Sequence, residues 1–577
     1  MARISESGHG RSNRARRTAI LHSLVRATLL LITFLGAGTA GAANFNVNST
    51  GDSGDATPGD GTCWTGAWVM VGQFGVYECT LRAAIEETNY LSGADSIGFS
   101  SLLNPNVYGN VIIAPFSAYP VITSPLTIDG TTIPEYDDAD PNAFPVIVLD
   151  GSFLGGSAIP GLTLGETADG SVVRALTIIA FPAHGISLGG ADSVLIEGNH
   201  IGLDRGFRPD GNGGAGIYVY SFSTSPTIGK ELDPLTGFEG RPNVISANAT
   251  SGVVIHGNGA EVAGNLIGAD PTGNAVSSIW GALGNGLHGV EVVGTASNAT
   301  IGDAYQLPFT SVWYTGGNVI AGNGQSGIRI QSNQSGIAVH ANQIGVGADG
   351  TTPLGNAAHG ILMETAYDTT IGEYVGTGVG LNPARGNHIA HNGDIGVLVS
   401  GHRNAVRGNV FGSNGQLAID LAGNGPTAND YLDEDGGPNW LQNTPVLDAG
   451  NTAYDALGSV VYARYLVDSW GDSAYPLVID FHVVGPDGVE PGAWIGSDMY
   501  EWPNATLDRD VAFTPAVPLT GSETIVAIAT DADGNSSEVG NVVPLPEPGL
   551  ATGLLASIGW LALVGRRRDD GLATSAA

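Results

Sequence analysis

Three features predict an all-β fold: a right-handed parallel β-helix solenoid, then a small β-sandwich, with a C-terminal transmembrane helix. The first is repetition. Asn-His-Ile-Gly at 199–202, Asn-Leu-Ile-Gly at 265–268, Asn-Gln-Ile-Gly at 342–345 and Asn-Val-Phe-Gly at 409–412 recur at intervals of 66, 77 and 67 residues. Thr-Ile-Gly at Thr227, Thr300 and Thr370, and Asn-x-Ile at Asn243, Asn318 and Asn387, recur in the same order. The second is composition: 88 glycines with only 13% charged residues describe many turns rather than helical globules. The third is run length. From residue 96, Val, Ile and Leu come in runs of strand length broken by Gly, Asn, Asp and Pro, as at 110–114, 126–129, 146–150 and 172–179.

Spacing sets the expected coil. Asn243 to Asn265, Asn318 to Asn342 and Asn387 to Asn409 are 22, 24 and 22 residues apart, which predicts a rung of about 23 residues and three rungs per longer period. Roughly 14 coils at about 4.8 Å each follow. The repeated residues read as scaffold: Ile faces the interior, Gly takes turn conformations, and Asn stacks on its equivalents through amide hydrogen bonds. The His-Gly pairs at His184, His288 and His359 recur with the repeat and read as structural too, as do the turn-forming Asp204, Asp270 and Asp349.

The N-terminus reads as a signal peptide over 1–42: six arginines, an apolar run over 27–35, and Ala-Gly-Ala at 40–42 before the cleavage point. The Arg16-Arg17 pair lacks the surroundings of a twin-arginine signal. Without the two ends, 12 basic face 52 acidic side chains, a net charge of about −40. Such a surface excludes nucleic acid as a partner and attracts cations.

Cys63 and Cys79, an even pair in an exported chain, predict a disulfide within an N-terminal segment over 43–95. A helix follows, with Thr80 as N-cap and Leu81, Ala84, Ile85 and Thr88 on one face. Cys79-Thr80-Leu81-Arg82-Ala83-Ala84 resembles the signature of the CSLREA family of bacterial surface proteins. Thr preserves the cap, while Ala83 lacks the Glu of a capping box. The resemblance implies that the segment precedes a parallel β-helix, here 96–425, and that the helix covers its open first coil.

Function is sought where the repeat is interrupted. Trp280, Tyr305, Trp313 and Tyr314, in loops between the repeated motifs, are the candidate carbohydrate-stacking residues. A polysaccharide lyase or glycoside hydrolase is the alternative, but no paired carboxylates accompany Arg174, Arg205, Arg329, Arg403 or Arg407, and no catalytic residue is assigned. In the acidic linker over 426–440, Asp430, Asp433, Asp435 and Asn439 have the oxygen-rich, glycine-containing spacing of a candidate calcium loop.

Residues 441–543 read as the β-sandwich, with a hairpin at 531–538. The end of the chain carries an address. Pro546-Glu547-Pro548, in a linker over 544–548, precedes 17 apolar or small residues at 549–565 and Arg566-Arg567-Arg568, within a basic tail over 566–577. The apolar segment reaches about 26 Å as a helix, close to a hydrocarbon core. This order resembles the PEP-CTERM sorting signal. The resemblance implies an inner-membrane anchor, cleavage by an exosortase-type processing enzyme, and release to the cell surface or extracellular matrix. The reading is an adhesive or matrix protein that binds extracellular polysaccharide.

Overall fold

The structure, a computed structural model, describes residues 41–546 apart from 138–139, 141–142, 157, 234–236, 307–312, 333–334, 374–380, 470–473 and 503–505. The expected signal segment up to residue 40, Glu547 and Pro548, the segment 549–565 and Arg566 to Arg568 lie outside the described residues. Among the described residues, no helix is long and apolar enough to cross a membrane.

Three parallel sheets carry the chain from residue 44 to residue 421. They hold eleven, ten and nine strands and are called here the first, second and third sheets. Each coil visits them in that order. Thr227–Gly229 lies in the first sheet, Val244–Ile245 in the second and Val253–Ile255 in the third, and Glu261–Ala263 then returns to the first. Alternation explains the packing. In the third sheet Ile186, Ile217, Val253, Val290, Ile328, Ile361, Val397 and Ile419 stack in register, all buried, and the residue after each points outward. Burying each such side chain contributes about 1.5–3 kcal/mol.

The expected coil arithmetic needs correction. Asn199, Asn243, Asn265, Asn318, Asn342, Asn387 and Asn409 form one unbroken ladder, each amide donating to the next, so the two Asn motifs mark successive coils. The steps along it are 44, 22, 53, 24, 45 and 22 residues, so each period contains two coils, one short and one long, rather than three equal ones. The sheets accordingly hold at most eleven strands, fewer than the fourteen coils expected. The surplus length leaves the coil as insertions. A second ladder, Asn212, Asn248, Asn285, Asn323, Asn356, Asn392 and Asn414, runs at the corner between the second and third sheets. Glycine closes the motif because of the next coil: Gly268 has φ +84°, and a Cβ there would stand 2.1 Å from the Ala321 carbonyl.

Both ends of the β-helix are covered. Helix α1 (Leu81–Tyr90) starts at Thr80, whose hydroxyl accepts from the Ala83 amide, and Leu81, Ala84, Ile85 and Thr88 are buried as the sequence predicts. Arg82 is buried as well, paired with Asp52 at 2.9 Å and donating to the carbonyls of Ser117 and Ala118. The Cys63–Cys79 disulfide is formed.

At the other end, two four-stranded antiparallel sheets between Val446 and Pro544 share one core that includes Tyr465, Phe481, Ile495 and Ile525. They dock on the last coil rather than standing apart from it. Arg407 and Asp480 form a buried pair at 2.6 Å, the Ser536 hydroxyl accepts from Val406 N–H, and Glu538 accepts from Leu421 N–H. The second Asn ladder ends on Glu490, which accepts from the Asn414 side chain at 3.1 Å. The turn expected at 531–538 therefore also supplies acceptors to the open coil edge.

Candidate functional site

The insertions leave the coil at two corners. Those after Thr-Ile-Gly lie between the first and second sheets, as the hairpins Glu231–Asp233 with Gly237–Glu239 and Ala304–Gln306 with Trp313–Thr315. Those after Asn-x-Ile-Gly lie between the second and third sheets, including the hairpin Ser277–Ser278 with Gly281–Ala282. The four candidate stacking residues are thereby divided. Tyr305 pairs with Tyr314 across one hairpin, with Trp313 beside it, and all three are half-buried. The ring of Tyr314 lies against Gly237 of the neighbouring insertion, so these two hairpins do stack on one side. Trp280 is exposed at the other corner, on the hairpin beside a cleft of about 510 Å³ lined by Phe207, Asp270, Ser277, Ile279 and Leu283. No single platform contains all four.

The acidic loop is partly assembled. One oxygen from each of Asp430, Asp433 and Asp435 lies within 4.8 Å of the others. Asp430 accepts from the amides of Glu434 and Asp435, and Asp433 from Gln442 and Asn443. Asn439 is not with them: it is buried, accepts from the Asn404 amide and donates to the carbonyls of Asn404 and Ser536, extending an Asn stack into the C-terminal sheets. Its side chain is spent on holding the two regions together.

A group of interacting polar and aromatic side chains lies on the outer face of the third sheet. The outward positions of successive strands are Ser187, Tyr218, Val254, Glu291, Arg329, Leu362 and Leu398, in register. Tyr218 stacks on His184 at 4.4 Å and on Tyr220 at 4.5 Å, and its hydroxyl lies 2.8 Å from His256 Nε2. Two coils on from Tyr218, Glu291 accepts from the Ser251 hydroxyl at 2.8 Å and from Arg329 at 2.7 Å, and Arg329 also donates to Glu364 at 2.7 Å. About 14 Å therefore separates Tyr218 from Arg329, three coils apart.

Electrostatics fix the charge of this strip. Burial lowers the pKa of His184 and His256, so both imidazoles are neutral at neutral pH, and burial with the nearby Tyr220 and Glu291 raises that of Tyr218. Arg329 between two glutamates leaves one negative charge. The strip offers ring faces, hydroxyls and an imidazole beside an acidic row. No paired carboxylate motif accompanies Arg329 in the sequence; its carboxylates, Glu291 and Glu364, come from other coils, 38 and 35 residues away. Arg174, Arg403 and Arg407 are likewise paired with acids, and Arg205 donates to the Gly109 carbonyl. The His-Gly histidines are not equivalent. His184 takes part in the strip by accepting from Ala215 N–H and stacking on Tyr218, whereas His288 is buried.

The chain is thus a parallel β-helix protein with a polar, aromatic strip on one sheet. No protein-family model matches the chain, and no curated protein matches it in sequence. Among solved structures, it is similar to the periplasmic alginate epimerase AlgG (12% identity, 59% of this chain and 69% of that one, TM-score 0.30). It is also similar to the A-module of the Azotobacter vinelandii mannuronan C-5 epimerase AlgE4 (14% identity, 59% and 87%, TM-score 0.32). Neither likeness bears on what this chain binds or does.

Proposed function

We propose that this is an exported cell-surface or matrix protein whose β-helix binds neutral polysaccharide along the outer face of the third sheet. The observation that carries the reading is Tyr218, held between His184 and His256 with Tyr220 alongside, next to the hydrogen-bonded row Ser251, Glu291, Arg329 and Glu364. Aromatic faces take the apolar faces of sugar rings, and the row supplies donors and acceptors at coil spacing. The net negative strip, on a chain of charge −34, disfavours acidic glycans.

Export follows from the arginine-rich start, and sorting from Pro546-Glu547-Pro548 with Arg566 to Arg568, which address the chain to the inner membrane and an exosortase-type enzyme. The sheets between Val446 and Pro544 act as a β-sandwich that closes the β-helix and links it to that anchor. Asp430, Asp433 and Asp435 are the ligands to test for calcium.

A polysaccharide lyase or hydrolase is the second reading, favoured by the Tyr218–His256 hydrogen bond, which places a protonated phenol against a neutral imidazole. Glycan-array retention combined with a product screen decides between them. Retention without products, weakened by Tyr220→Ala, supports binding; unsaturated or shortened products abolished by Tyr218→Phe support catalysis. Mass spectrometry of the mature C-terminus tests sorting: cleavage near Pro546 supports it, and an intact Arg566 identifies a plain anchor.

A further inference from the structure

The disulfide at Cys63 and Cys79 closes the base of a β-hairpin, Trp68–Val71 paired with Phe74–Tyr77, that none of the foregoing uses. Its ten residues contain no charge. One face carries Trp68, Met70 and Tyr77, with Trp64 against Trp68 and Tyr77 at the base, and the other carries Val69, Val71, Phe74 and Val76, of which Val69 and Val76 are half-buried. Trp68 is 55% exposed, Met70 65%, Phe74 80% and Tyr77 48%.

We infer that this hairpin is a membrane-contacting finger that enters the interfacial region of a lipid bilayer of low surface charge. Three observations select that occupant. Both faces are apolar and exposed toward the tip, at Met70 on one and Val71 and Phe74 on the other, which suits a fluid that surrounds the tip better than a partner that covers one face. The rings are graded along its length. Trp64, Trp68 and Tyr77 cluster at the base with centroids 4.8–6.2 Å apart, and Met70, Val71 and Phe74 form the tip. Trp and Tyr favour the headgroup level, and three residues of strand carry the tip about 10 Å beyond them, the depth of interfacial insertion.

The flanking sequence is acidic: Asp52, Asp55, Asp60, Glu78 and Glu86 lie within twenty residues of the hairpin, and the one Lys or Arg between residues 43 and 173, Arg82, is buried against Asp52. That charge repels an anionic bilayer, and it equally repels a second copy of the chain. Sugar stacking would want polar side chains beside the rings, and Gln73 is the only one in the hairpin.

The test places an environment-sensitive nitrobenzoxadiazole label on Gln73→Cys in the full chain and adds vesicles. The label reports the hairpin alone, so a chain held on vesicles by its C-terminal segment gives no signal unless the finger enters. Phosphatidylcholine vesicles are expected to shift the emission to the blue, and phosphatidylglycerol vesicles at low salt to do so more weakly. Phe74→Asp in the same background should weaken the response at least about tenfold. Phe74 is 80% exposed on an extended strand, so its replacement removes a tip ring without disturbing the core. No shift with phosphatidylcholine overturns the inference, as does a Phe74→Asp response equal to the parent. A shift that grows with protein concentration without vesicles assigns the hairpin to self-association instead, and one seen only with a neutral glucan assigns it to carbohydrate.

Discussion

The asparagine ladder and the third-sheet strip run along the same coils and differ in one respect. The ladder places the same side chain at every step, from Asn199 to Asn409, whereas the strip changes from Ser187 to Tyr218, Val254, Glu291 and Arg329. A position that repeats solves a problem every coil has: buried backbone groups at a corner must find partners. A position that changes is released from that demand and is free to meet a ligand. Substitution should therefore separate stability from binding, and each expectation below can break that division.

The largest effect is expected inside. Asn265 is fully buried, accepts from Asn243, and donates to the Ile228 carbonyl and to Asn318. Asn265→Ala strands partners on both sides, and a loss of about 3 kcal/mol is expected in urea unfolding, with glycan retention by the remaining folded protein unchanged. Loss of binding without loss of stability would show that the ladder is not mere scaffold.

The end of the second ladder sharpens the point through pH. Burial, with Asp487 beside it, pushes Glu490 up to about 8, while Asn414 partly offsets this. The folded chain then holds a proton that the unfolded chain, with an ordinary glutamate value near 4.5, has released. The stability due to this group is present below about 4.5 and is lost as pH rises through about 8. Glu490→Gln should melt with the parent at pH 4 and exceed it by about 2 kcal/mol at pH 9, because it removes the charge that burial opposes. Equal stability at both pH values would mean that the ladder does not end on a buried carboxylate.

How far this division was legible in the sequence depends on distance along the chain. The Asn motifs, the turn glycines, the Thr80 cap and the Cys63–Cys79 pair were readable because each is a local pattern or an inevitable pairing. The coil length was misread: equal spacings of 22 to 24 residues are the short coils, and the long ones hide their insertions between markers. Asn439 read as a metal ligand because its acidic neighbours suggest one, yet register places it under Asn404.

The strip was missed although a signal for it exists. Gly is followed by apolar, variable, apolar residues at 185–188, 216–219, 252–255, 289–292 and 327–330, and the variable residue of each is the outward one. Alignment of the coils on that pattern would have brought Glu291 and Arg329 side by side.

On the strip itself, Tyr220 is exposed and stacks on Tyr218. Tyr220→Ala is expected to weaken retention of a neutral glycan about tenfold, equivalent to about 1.4 kcal/mol, while changing unfolding by no more than about 0.5 kcal/mol. Unchanged retention would move the ligand off the third sheet.

The smallest effect is expected at Trp280, and it discriminates between two kinds of irregularity. Trp280 stands on an inserted hairpin, exposed, with its backbone amide held by the Ser278 hydroxyl at 3.1 Å. Tyr220 instead directly follows the strand Ile217–Val219 of a regular coil, with its amide held by the Leu188 carbonyl of the neighbouring strand at 3.0 Å. A rigid sheet gives up less freedom on binding than a two-residue hairpin tip does, so the same ring area should yield more affinity on the sheet. Trp280→Ala should accordingly leave unfolding within about 0.5 kcal/mol and glycan retention within about twofold of the parent. If Trp280→Ala costs tenfold and Tyr220→Ala costs nothing, the binding surface lies on what the repeat inserts rather than on what it varies, and the cleft beside Phe207 and Leu283 becomes its centre.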